Sequence, residues 1–109
     1  MGRRMRRGEI RWYRFQAPDK KRPVLIVHRD DIIEHLSEIT IAPLTSTIRD
    51  IPSEVFLSAA EDGVPRDSVV NVDHLQTVAK SRIGPLITTL SQAKMASVGH
   101  AIRFALGLA

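Results

Sequence analysis

Cysteine is missing from all 109 residues of this chain, which excludes disulfides and thiolate chemistry and leaves any zinc site to histidines and carboxylates. The four histidines, His28, His35, His74 and His100, include no pair at the three- or four-residue spacing that puts two ligands on one helix face, and no Cys or Glu completes a familiar zinc pattern. Neither a metal nor another cofactor is expected. Glycines are few and scattered, and none opens a helix ahead of a Lys-Ser/Thr pair, so a nucleotide-phosphate loop is excluded. No serine is flanked by glycines at the spacing of a hydrolase elbow. Long apolar runs are absent as well: the longest is the four residues from Val24 to Val27, far short of the ~20 that a membrane helix needs. The basic N-terminus lacks the apolar region of a secretory signal. The expectation is a soluble, unprocessed protein of the reducing cytoplasm, with no membrane contact.

What the chain does contain, at 43% hydrophobic residues, suits one compact domain around a single core. Its net charge of +4 is unevenly spread, for residues 1–30 hold ten Lys and Arg against three acids, and the remainder holds six against nine. If Arg3, Arg4, Arg6, Arg7, Arg11, Arg14, Lys20, Lys21, Arg22 and Arg29 share a face, that face attracts polyanions, phosphate backbones above all, and equally an acidic protein. Residues 1–7 read as a basic arm ahead of a domain over residues 8–109. A frayed, solvated arm without a specific role is the plainer alternative.

Along the domain, Glu9 to Phe15 alternates, with Ile10 and Trp12 on one side and Arg11, Tyr13 and Phe15 on the other, as a strand does. Turn chemistry at Ala17, Pro18, Asp19 and Lys20 precedes Pro23 and the β-branched run Val24–Val27, a second and buried strand. Asp30 and Asp31 open a short helix through Leu36. Ile39 to Ala42 alternates again and is expected to stop at Pro43, which cannot donate a ladder hydrogen bond. Leu44 to Thr47 then reads as a polar connection. Further extended segments fall at Glu54–Leu57, Ser68–Val72 and Leu75–Val78, the first two separated by the turn-rich stretch Glu61–Pro65. From Ser91 the period becomes helical through Met95, Val98, Ile102 and Ala105 or Leu106, with Ser91 as N-cap and Gly107 as terminator. Five or six short strands followed by one amphipathic helix predict a small, strongly bent sheet or barrel, mainly β, that the helix covers.

Two polar clusters stand at strand ends: Lys20-Lys21-Arg22-Pro23 and Pro43-Leu44-Thr45-Ser46. A sheet can hold the Arg22 guanidinium where bidentate binding of a phosphate requires it, although a basic tripeptide before a strand is commonly only a solvated loop. Thr45 alone is a weaker candidate, because Thr and Ser often cap turns through backbone hydrogen bonds. Met95, Val98 and Ile102 read as helix core rather than a binding stripe. His28 reads as structural or exposed more readily than as a proton carrier. Trp12 suits either the core or a partner groove.

In order and spacing, the chain resembles the MazF/PemK/Kid toxins from Arg7 to Leu108. The matching segments are Arg7-Gly8-Glu9-Ile10, Arg22-Pro23-Val24-Leu25-Ile26-Val27, Pro43-Leu44-Thr45-Ser46, Asp67-Ser68-Val69-Val70 with Asp73 and Thr77, and Lys80-Ser81-Arg82-Ile83-Gly84. The resemblance implies an SH3-like, CcdB-related barrel that dimerises and cuts single-stranded RNA at short sequence motifs without metal. Residues 8–109 would be the toxin domain, restrained by an antitoxin with an acidic tail. It also implies Arg22, Thr45 and Asp73 as catalytic residues, with Lys20, Lys21, Ser46, Asn71, His74 and Gln76 at the RNA. The chain departs from the family at Asn71, where one branch has arginine, at His74 and Gln76, where many relatives have Gln and Arg, and in a short loop before Arg22 without the usual Gly-rich stretch. A gyrase inhibitor like CcdB and a binding-only relative are the alternatives; the Arg22 and Thr45 motifs speak against the former.

Overall fold

The computed structural model describes residues 4–16 and 20–108; Arg3 and the turn residues Ala17, Pro18 and Asp19 lie outside the described residues. Period-two runs of β-branched and aliphatic side chains form seven strands in it: β1 (Glu9–Arg14), β2 (Lys21–Ile26), β3 (Glu38–Thr45), β4 (Glu54–Leu57), β5 (Ser68–Asn71), β6 (Gln76–Ala79) and β7 (Ile83–Thr89). Two one-turn helices, α1 (Asp30–Ile33) and α2 (Ala59–Asp62), interrupt them, and α3 (Gln92–Leu106) follows the last. All pairings are antiparallel, in the order β4-β5-β3-β2-β1-β7, with β6 also on β3. The mainly β architecture with a C-terminal helix is as expected.

β3 joins the two halves of this bent sheet. Its first half pairs with β6, Ile39 opposite Val78 and Ile41 opposite Gln76, and its end pairs with β5, Leu44 opposite Val70 and Thr45 opposite Val69. β2 runs along the other edge, with Val24 opposite Pro43 and Ile26 opposite Ile41. The strand therefore does not stop at Pro43 but continues to Thr45. Pro43 falls at the changeover, paired with neither β6 nor β5, so its missing N–H costs no ladder bond on that edge.

Alternate residues of β2 serve opposite faces of the sheet. Leu25 and Val27 join the core beneath α3, with Ala42, Leu44, Val98 and Ala101, whereas Val24 and Ile26 join a second core with Ile39, Ile41 and Ile33. That double burial is why Val24–Val27 is continuously apolar. α3 forms as its caps predict: the Ser91 hydroxyl accepts from the Lys94 N–H at 3.1 Å, and Gly107 takes a left-handed φ of 70° while donating to the Arg103 and Phe104 carbonyls. Met95 and Ile102 pack on the first core, as core residues should. α1 is shorter than anticipated, and the chain continues to Leu36 through bonds from His35 N–H to Ile32 O and Leu36 N–H to Ile33 O. His28 accepts the Thr40 N–H through Nδ1 at 3.1 Å, a structural role.

Two elements escaped the sequence pattern. α2 is a single turn capped by Ser58, and β7 carries Gly84 and Pro85, which broke its alternation. A Cβ at Gly84 would come within 3.2 Å of the Trp12 carbonyl, so glycine lets β7 lie close to β1 there. The described part of the N-terminal arm lies along the domain, because Arg4 pairs with Glu34 at 2.7 Å, Arg7 N–H donates to Asp30 at 2.7 Å and Met5 packs on the second core. Among the described residues no helix is long and apolar enough to cross a membrane.

Leu25 is fully buried and Leu106 is 56% exposed. Leu25→Ala is expected to cost about 2–5 kcal/mol in chemical denaturation, and Leu106→Ala no more than about 0.5 kcal/mol.

Candidate active site

β2 begins exposed, at Lys21 and Arg22, and is buried only from Val24. Its register against β3, with Val24 opposite Pro43, brings Arg22 opposite Thr45 if continued two residues toward the strand ends. Side chains so placed share a face, with Cβ atoms ~4.5–5.5 Å apart. The surface agrees with that juxtaposition, since Arg22 and Thr45 both line each of two adjoining depressions. The first, of about 390 Å³, also holds Trp12, Lys20, Lys21, Ser46, Pro65 and Arg66. The second, of about 230 Å³, also holds Thr47, Arg49, Asn71 and His74. Arg22 and Thr45 thus form the rim between them.

Among the described residues no acid lines either depression, so the cations add to a positive field at a concave surface that draws in anions. No hydrogen bond or ion pair engages the Arg22 guanidinium among the described residues, and its five donors are available to a ligand. Thr45 Oγ1 accepts the Thr47 N–H at 3.2 Å. That bond uses a lone pair and leaves the hydroxyl proton free to donate, so the turn-capping and donor roles are compatible. Roomier hollows of about 520 and 510 Å³ flank α3, but neither has a threonine hydroxyl and an arginine set face to face by strand register.

The expected site residues divide. Lys20, Lys21, Arg22, Thr45 and Ser46 meet at the first depression, and Asn71 and His74 join Arg22 and Thr45 at the second. Asn71 is buried, its Oδ1 accepting the Asp73 N–H at 3.0 Å and its Nδ2 lying 3.5 Å from His74 Nδ1. It holds the 3₁₀ turn Val72–His74 and orients His74. Asp73 and Gln76 are exposed and line neither depression. The reason lies in the backbone: Asp73 turns within the 3₁₀ turn to accept the Ser53 hydroxyl at 2.5 Å, and Gln76 pairs with Ile41 beyond it. Arg49 and Arg66 were not anticipated, because both belong to the acid-rich part of the chain and neither falls in a regular element.

The imagined single basic face is also corrected. Arg11 is only 7% exposed, bound to the equally buried Glu9 at 2.8 Å and to the Gly84 carbonyl at 3.1 Å, with one guanidinium nitrogen left without a partner among the described residues. Arg7 donates to the Val27 carbonyl, and Arg29 lies 3.4 Å from Asp31. Lys20, Lys21 and Arg22 are the members of that set that reach the depressions. Among the described residues no group of three or more His, Asp or Glu could hold a metal ion.

A bent antiparallel sheet under one helix, with an arginine and a threonine set on a cationic rim, defines a small β-rich protein with a concave, cationic surface at the open end of its central strands. The chain belongs to the PemK-like, MazF-like toxins of type II toxin–antitoxin systems, whose family model matches residues 6–106. It is 36% identical over 103 residues to "Probable endoribonuclease MazF2" of Mycobacterium tuberculosis, spanning 94% of this chain and 99% of that protein. "Endoribonuclease MazF3" of the same organism is 37% identical over 84 residues, 77% of this chain and 81% of that one. Among solved structures, the Mycobacterium tuberculosis toxin MazF-mt6 superposes with a TM-score of 0.84 at 33% identity, covering 93% of this chain and 98% of that one. A mycobacterial endoribonuclease in complex with its cognate antitoxin superposes with a TM-score of 0.88 at 26% identity, covering 97% and 98%.

Arg22 and the buried Glu9–Arg11 pair should differ sharply in what their disruption costs. Arg22→Ala removes an exposed, unpartnered side chain and is expected to change stability by less than about 0.5 kcal/mol. Glu9→Gln leaves Arg11 buried without its counter-charge and should cost about 3–5 kcal/mol; urea titration of both variants measures the contrast.

Proposed function

We propose that this toxin is a sequence-specific endoribonuclease that cuts single-stranded RNA without a metal ion, with the scissile phosphate on the Arg22–Thr45 rim. The observation that carries this reading is that rim itself, where a guanidinium and a hydroxyl proton that are both free among the described residues face two depressions that no described acid lines. When the ribose 2′-oxygen attacks the adjacent phosphorus, negative charge grows on the phosphoryl oxygens. A guanidinium fixed at the start of a strand stabilises that charge more than it stabilises the substrate. The Thr45 hydroxyl donates to a phosphoryl oxygen or relays a proton. The P–O5′ bond breaks as the P–O2′ bond forms, with the 2′-hydroxyl losing its proton to solvent and the departing O5′ taking one up, giving a 2′,3′-cyclic phosphate and a 5′-hydroxyl.

In this reading Lys20, Lys21 and Ser46 hold the strand in the first depression and His74 in the second, with Asn71 setting the position of His74. Asp73 and Gln76 meet the RNA only beyond the second depression. The departures at Asn71, His74 and Gln76 give this toxin its own base preference. It works in the cytoplasm, as a homodimer of domains spanning residues 8–109. The exposed Phe56, Phe104, Leu106 and Leu108 are apolar surface available to a partner subunit or antitoxin. A cognate antitoxin with an acidic tail restrains the enzyme by covering the cationic depressions. The antitoxin complex among its structural neighbours supports that partner.

Long single-stranded RNA incubated with the protein in EDTA should show discrete new 5′ ends carrying hydroxyl groups. Arg22→Ala is expected to lower the cleavage rate by about 10²–10³-fold, the loss typical of one transition-state donor; wild-type-like cleavage by that variant would remove Arg22 from the mechanism. Sedimentation at micromolar concentration should give twice the chain mass, and a sharp monomer would contradict the dimer.

A further inference from the structure

Arg49 and Arg66 lie outside every segment that carries the family resemblance, yet they face the rim from opposite sides. Arg66 lines the first depression and Arg49 the second, and neither lines both. Each comes from a loop whose backbone is pinned. The Arg66 carbonyl accepts the hydroxyl of the buried Ser68 at 2.7 Å, and the next residue, Asp67, accepts the Ala59 N–H at 2.8 Å. On the other side, one oxygen of Glu54 accepts the N–H groups of both Arg49 and Asp50, at 2.9 and 3.0 Å, and Asp50 takes a left-handed φ of 57° to complete the turn.

Among the described residues no acid pairs with either guanidinium. Asp67 and one oxygen of Glu54 are occupied with backbone amides, which holds the attachment points of both arginines while leaving their charges free. An arginine presented in this way offers a planar fork that matches a phosphate, at less entropic cost than a mobile lysine. Such a pair, one on each side of the rim, suits neighbouring phosphates of one extended strand better than a single enclosed ligand.

We propose that Arg66 and Arg49 hold the phosphates on the two sides of the scissile one, so that the RNA backbone enters by one depression, crosses the Arg22–Thr45 rim and leaves by the other. This rests on the ribonuclease reading above and adds the path and two phosphate-binding residues. It assigns them to binding and positioning, so their loss raises KM and lowers salt sensitivity while Arg22 continues to serve the chemical step.

The test uses the full chain and a short RNA carrying its mapped cleavage site, with a 2′-deoxy group at the scissile nucleotide to prevent cutting. Single methylphosphonates replace the phosphates on either side in turn. For the wild type, neutralising either flank should weaken binding about tenfold, the scale of one charge-assisted contact. Arg66→Gln should bind the unmodified RNA about tenfold more weakly, become indifferent to neutralisation on one flank and stay sensitive on the other. Arg49→Gln should show the mirror pattern, and each should reduce the salt slope of log Kd by about 0.7. Wild-type sensitivity at both flanks in both variants, or loss at the same flank in both, overturns the proposed path. If the wild-type protein cleaves RNA through Arg22 while these patterns are absent, this inference fails alone; if it neither cuts nor binds RNA, the ribonuclease reading fails and takes the inference with it.

Discussion

The register of β2 against β3 is the constraint on which the site depends. With Val24 opposite Pro43, Arg22 and Thr45 share a face at the open end of the strand pair, and a slip of one residue would send them to opposite faces. The register is secured by burial on both sides, because the same slip would also exchange Leu25 with Val24 and Ile26 between the two cores. The placement of Arg22 beside Thr45 and the packing of the cores are therefore one specification. The exposed arginine inherits its precision from apolar neighbours two to four residues along the strand.

Charge in this protein is sorted by the fold into structural and available groups. Glu9 and Arg11 sit on alternate residues of β1 and close on each other in the interior. Arg4 and Arg7 tie the start of the chain to α1 and to the end of β2. The cations that line the rim come from two parts of the sequence: Lys20, Lys21 and Arg22 from the basic first part, and Arg49 and Arg66 from loops in the middle of the chain, within its acidic part. A field at one place is thereby assembled from residues that a charge count along the chain assigns to opposite categories.

Much of the architecture was legible because it follows from local periodicity. The continuously apolar Val24–Val27 signalled a strand buried on both faces, and Ser91 and Gly107 marked the helix ends through their capping chemistry. β7 was hidden because Gly84 and Pro85 interrupt its alternation, and the extension of β3 past Pro43 was hidden because it depends on which strand lies alongside. Arg22 and Thr45 could be singled out from motif order. Nothing local to Asp73 indicated that its carboxylate would turn to Ser53, twenty positions away in sequence.

By itself, then, the sequence determined the class of fold, the buried strand that follows Arg22, the terminal helix and the family, since these rest on hydrophobic period, caps and motif spacing within short windows; that the strand begins at Lys21 and so includes Arg22 came from the structure. Only the tertiary structure decided that Arg22 and Thr45 form a rim shared by two depressions, that Arg49 and Arg66 flank it, and that Arg11 belongs to the interior. Those facts depend on cross-strand register and on where loops return to the sheet. Both are set by packing between segments far apart in sequence, which no local pattern encodes.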